Sequence, residues 1–227
     1  MKDIKGRILL KLNNTLTNNA VETSVNRFRS QNNWYNLTYR RFIERFNETR
    51  GETHIGVWVE RVALVYSWLP KIPLSSFNRS TDDLEKIISC LNELELIFFD
   101  ANLSSIGNTA YHGPKYHGET IFALYKGYYD VAIREFLSPA GYLLHNKPSL
   151  DTQLSSTTKL LHFICPRLFP IFDSKVCNQL YGTTNQTYKK YHAYVFAVQE
   201  FLNISEVSPY IFNIAKKMDL SPLYIID

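Results

Sequence analysis

The sequence predicts a mainly α protein. Apolar residues recur at helical spacing along almost its whole length, sustained two-residue alternation is scarce, and 45% of the 227 residues are apolar, enough for one generous domain or two tightly joined lobes. A boundary near residue 118 would separate a basic N-terminal part, 1–118, from a second part, 119–227. No internal repeat at a solenoid period is found.

The first fifty residues form a basic arm. They hold ten Lys or Arg against four acids, a net +6 that leaves −2 for the remainder. Arg27, Arg29, Arg40, Arg41 and Arg45 dominate it, with Trp34 and Tyr35 beside them. Such an asymmetry favours a nucleic-acid or acidic-surface partner, and a solvated helix face accounts for it as well.

Residues 55–69 are apolar on nearly every side, interrupted mainly by Glu60 and Arg61, which predicts a central buried helix ending before Pro70. Residues 71–79, rich in Pro and Ser, read as a connector. Ser80, Thr81, Asp82 and Asp83 resemble a capping box, followed by a stripe of Leu84, Ile87, Ile88 and Leu91. Residues 102–118 read as irregular and carry Tyr111, His112 and Tyr116. A second stripe runs Ile121, Leu124, Tyr125, Tyr128, Ala132 and Phe136 up to Ser138-Pro139. A third, after the loop opening at Gly182, runs Tyr188, Tyr191, Val195, Val198 and Leu202.

No apolar run reaches the roughly 18 residues that span a bilayer, and the N-terminus lacks the apolar core of a signal peptide, so a soluble, cytoplasmic protein is expected. Cys90, Cys165 and Cys177 have no metal-ligand spacing, and their odd, sparse number fits a reducing compartment. No metal and no cofactor is expected. The Asn-x-Ser/Thr triplets, such as that at Asn185, follow from an Asn-rich composition.

Between Thr152 and Gln199, Asp173 is the only carboxylate among five basic residues, Lys159, Arg167, Lys175, Lys189 and Lys190. Ser156 or Thr157 would cap a helix that carries Lys159 in its first turn and ends at Cys165, before Pro166. Six helical residues rise about 9 Å, and the seven-residue return over 166–172 can extend about 23 Å, so Asp173 can come back to the level of Lys159. Asp173 then has the form of an N-cap, where backbone N–H groups favour the ionised carboxylate; a purely structural cap has the same form.

At these residues the chain resembles the helix-hairpin-helix DNA glycosylase superfamily. The core of the resemblance spans residues 154–176, and at most 120–200. It places the hairpin at Ser155, Ser156, Thr157 and Thr158, an attacking lysine at Lys159, the catalytic acid at Asp173 and an apolar position at Val176. The glycines usual in that hairpin are absent, the interval from lysine to acid is shorter, and Lys175 stands where histidine is common.

The resemblance implies a mainly α, two-lobed fold with a cleft, acting on double-stranded DNA as a monomer. It also implies excision of a damaged or modified base, in repair or in defence against phage. Asp173 would stabilise positive charge on the sugar, and a partly neutral Lys159 could attack it to give lyase chemistry. The 155–158 amides and Lys175, with Arg40 and Arg41, would hold phosphates. Trp34, Tyr35, Tyr111, His112 and His162 are the candidates for the pocket of an everted base. A non-catalytic helical DNA-binding module, or a protein-interaction or toxin-like helical domain, fits the same composition.

Overall fold

The computed structural model describes residues 2–30, 34–69, 81–106 and 154–226. Most of these are helical, and no strand occurs among them. The connector 71–79, the stripe 121–136, and Tyr111, His112 and Tyr116 lie outside the described residues.

The basic arm folds as three helices, α1 (Lys2–Thr15), α2 (Asn18–Ser30) and α3 (Trp34–Glu48). Each buries a narrow stripe: Ile8 and Leu12, then Val21 and Val25, then Tyr39, Phe42 and Phe46. The spacing of three and four residues puts each set on one face, leaving the charged residues outside. Arg45 forks onto both oxygens of Glu60 at 2.8 and 2.7 Å, and Arg50 lies over the Phe99 ring, so part of the arm's charge holds helices together.

Helix α4 (Ile55–Tyr66) starts where His54 accepts from the Gly56 amide. It is not buried all round. Trp58, Arg61, Val62, Val65 and Tyr66 face inward, whereas Val59 and Glu60 face solvent. The expectation missed this because Arg61, which looked like an interruption, is itself wholly buried. Its guanidinium donates to Thr49 Oγ1 (2.8 Å), the Phe46 carbonyl (2.9 Å) and Glu95 Oε2 (3.1 Å), and lies 4.6 Å from the centroid of Trp58. Glu95 comes from α5 (Thr81–Phe98), so one buried ion pair ties α3, α4 and α5 together.

The short α6 (Leu103–Ile106) interrupts the stretch expected to be irregular. Leu103 bonds through its amide to the Arg167 carbonyl and through its carbonyl to Gln199. Then come α7 (Leu154–Ile164), α8 (Ser174–Tyr181), α9 (Tyr188–Ile204), α10 (Ser208–Met218) and α11 (Pro222–Ile226). Helix α8 ends at Gly182, whose φ of 69° is the left-handed conformation that glycine adopts without a Cβ clash.

The central element is α9. Beyond the stripe residues Tyr191, Val195, Val198 and Leu202, it also buries His192, Ala193, Tyr194, Ala197, Gln199 and Phe201. Helix α1 lies along it, with α6 and α10 also against it, while α7 packs on α3 and α4. Buried residues from both parts of the sequence therefore form one continuous core.

Candidate functional site

Helix α7 is where sequence and structure diverge most usefully. Leu154 is already helical, so Ser155, Ser156, Thr157 and Thr158 lie within the helix and not in a hairpin preceding it. Ser156, Thr157 and Thr158 are buried, which removes them as a phosphate-binding surface. Leu154 before them is buried in the core, and hydroxyl side chains are small enough to follow it inward.

Lys159 lies one turn into α7 and is 7% exposed. Its Nζ is 3.5 Å from the Trp68 carbonyl and 3.9 Å from Asp173 Oδ2. Burial pushes the amine below the usual lysine range, Asp173 pulls it partly back, and Lys175 pushes it down again. The neutral amine is thus more accessible here than in an exposed lysine.

Asp173 caps α8 as the sequence predicts. Its Oδ1 accepts from the amides of Lys175 (2.9 Å) and Val176 (3.0 Å), leaving Oδ2 turned to the lysine. The carboxylate side chain is 23% exposed, so the pair is open to solvent from the acid's side. Lys175 is exposed beside it.

The return over 166–172 is held by side chains. His162 Nδ1 bonds the Phe169 carbonyl at 2.8 Å, the Phe172 amide donates to Thr158 Oγ1 at 3.0 Å, and Gln186 Nε2 donates to the Phe172 carbonyl at 2.9 Å. Ser221 closes the other end onto the Pro166 carbonyl. His162 is wholly buried and bonded at both ring nitrogens, the second to Tyr39, so it belongs to the core and not to a base pocket. Its neighbour Phe163 occupies the same aromatic layer as Tyr39, Phe42 and Trp68.

Trp34 and Tyr35 are exposed at the start of α3, with Leu37 next to them. The Tyr35 ring meets Trp68 edge-on at 5.3 Å, and the Trp68 carbonyl in turn receives Lys159. Tyr35 is therefore one residue removed from the amine. The contact runs through Trp68, a residue that sequence reading did not single out.

On the arm, Arg40 is exposed with no carboxylate partner among the described residues, whereas Arg41 pairs with Glu44 (3.2 Å) and Glu48 (3.5 Å). No group of three His, Cys, Asp or Glu is placed to hold a metal among the described residues. Nor is any helix there long and apolar enough to cross a membrane. No family model, curated protein or solved structure matches the chain.

Proposed function

We propose that this protein is a DNA glycosylase that everts a damaged or modified base from duplex DNA and cleaves its N-glycosidic bond. In this reading it works as a monomer without a metal, between two closely packed helical lobes. One observation carries the proposal: Lys159 and Asp173, from two different helices, converge to 3.9 Å, with the amine buried and the acid open to solvent.

Bond cleavage leaves the sugar C1′ with oxocarbenium character, which a fixed carboxylate stabilises. Water then adds to C1′, its proton passes to Asp173, and the departing base takes up a proton. Alternatively the neutral Lys159 amine attacks C1′ and the base leaves with its bonding pair; the amine then gives up a proton and the C1′–O4′ bond breaks, O4′ taking a proton, to leave a protonated Schiff base that can be reduced. Exposed Trp34 and Tyr35 supply ring faces at the rim, and Arg40 and Lys175 supply charge for phosphates.

The test is a mass-spectrometric survey of bases freed from several natural DNAs, heavily modified phage DNA included. Wild type should release one base class, and Asp173→Asn should lower the rate by about 10²- to 10⁴-fold while leaving DNA affinity largely intact. Borohydride should trap a covalent adduct that Lys159→Ala loses if the amine attacks. DNA binding without any base release would make the chain a binding module, and binding indifferent to salt would remove DNA as the partner.

A further inference from the structure

We propose that Thr158 and Gln186 are positioning residues for Asp173, clamping the peptide groups of Phe172 so that the carboxylate is presented to Lys159. The proposal rests on reading Lys159 and Asp173 as the reactive pair.

Phe172 immediately precedes the acid. Its amide donates to Thr158 Oγ1 at 3.0 Å and its carbonyl accepts from Gln186 Nε2 at 2.9 Å. Thr158 comes from α7 and Gln186 from the loop before α9, and both side chains are buried. The Phe172 ring is itself wholly buried against Tyr181, Tyr191 and Tyr194. A loop peptide ordinarily finds water, but burial excludes water here, so each polar group depends on its side-chain partner.

The clamp is separate from the cap. Asp173 Oδ1 bonds amides of α8, so capping alone would let the acid travel with that helix. The Phe172 amide bond to Thr158 joins the start of α8 to α7. Thr158 is also adjacent in sequence to Lys159, so one turn of α7 carries both the amine and the hydroxyl that sets the acid's distance from it. A misplacement of about 1 Å can cost on the order of 10²-fold in rate, which is the scale of effect such a clamp controls.

Thr158→Val keeps the shape and removes the acceptor, Thr158→Ser keeps the acceptor, and Gln186→Met removes the donor from the opposite side. Two readouts apply to the full chain: single-turnover base release against DNA Kd, and the pH dependence of Lys159 reductive methylation with ¹³C-formaldehyde, followed by NMR. Thr158→Val and Gln186→Met should lower release about 10- to 100-fold with DNA Kd changed less than about twofold. Both should also move the Lys159 titration to lower pH as the acid moves away, and Thr158→Ser should restore both readouts.

Wild-type rates and an unmoved Lys159 titration in Thr158→Val would overturn the proposal, as would a serine variant that behaves like valine. Should Thr158→Val not fold, Gln186→Met decides by the same readouts. If wild type frees no base from any DNA, the glycosylase reading fails. The Lys159 titration then still decides whether the clamp exists.

Discussion

His162 Nε2 and Tyr39 Oη lie 2.8 Å apart in the interior, joining α7 to α3. Because the Phe169 carbonyl can only accept, Nδ1 carries the ring hydrogen and Nε2 takes the phenol's. The Phe169 bond survives protonation, whereas accepting the phenol hydrogen at Nε2 requires the neutral ring.

Burial lowers the His162 pKa from 6.5 to about 4. The unfolded chain therefore binds more protons than the folded one between those values, and stability falls as pH drops from 6.5 towards 4, by roughly 3 kcal/mol over the window. Urea midpoints at pH 7 and pH 4.5 should show this loss, and His162→Gln should be less stable at pH 7 with a shallower dependence. An unchanged pH dependence in His162→Gln would assign the titration to another group.

Lys159 has the same sign at higher pH. Its folded pKa lies below 10.5 through burial, so stability rises with pH between the folded value and 10.5, as the folded state sheds a buried charge before the unfolded chain does. Lys159→Met should match or exceed wild type at pH 7 and flatten that rise. At this chain length about 1 kcal/mol corresponds to roughly 2–4 °C in Tm. Parallel pH curves for the two proteins would show that the lysine is not the source.

The Arg61–Glu95 pair, 3.1 Å apart and without solvent exposure, predicts strong non-additivity. Arg61→Met should cost about 3–5 kcal/mol by leaving Glu95 unpaired, while the double variant Arg61→Met/Glu95→Leu should recover most of the loss. Glu95 Oε1 already lacks a hydrogen-bond partner among the described residues, which makes its burial harder to offset once the arginine is gone. Simple addition of the two single effects in denaturant titrations would contradict this coupling.

Arg40 and Arg41 are neighbours with different engagements. If α3 meets DNA, Arg40→Ala should weaken binding and reduce the slope of log K against log salt by about 1, the signature of one lost phosphate contact. Arg41→Ala should change the slope less, because its charge is shared with Glu44 and Glu48. Equal effects would mean that those ion pairs open on binding.

The local features of the candidate site were legible in the sequence. The return after Pro166, the cap at Asp173 and the approach of Lys159 to it follow from short-range rules, and the structure places Asp173 at the N-cap of α8 with the Lys159 Nζ 3.9 Å from its Oδ2. The start of α7 was not legible. A run of Ser and Thr carries turn and cap signals whether it precedes a helix or lies inside one, and only the packing around Leu154 distinguishes the two.

The extent of burial of α4 and α9 was not legible either. Apolar density around α4 suggested a central helix, but its position between α3, α5 and α7 leaves Val59 and Glu60 on the outside. Helix α9 showed one clear stripe, yet α1, α6 and α10 pack against it and it buries His192 and Gln199 as well. Periodicity records what a helix could bury, while the arrangement of its neighbours decides how much it does.

The sequence by itself determined the helical class, the basic N-terminal arm, and the pairing of an acid at a helix start with a lysine one segment earlier. These depend on spacing, charge and backbone preferences within a few dozen residues. Tertiary structure alone decided that Arg61 is buried, that His162 belongs to the core, that Tyr35 reaches the amine through Trp68, and that Thr158 and Gln186 grip the residue before the acid. Each of these depends on which atoms meet across distant parts of the chain, and on the exclusion of water that makes a single hydrogen bond there decisive.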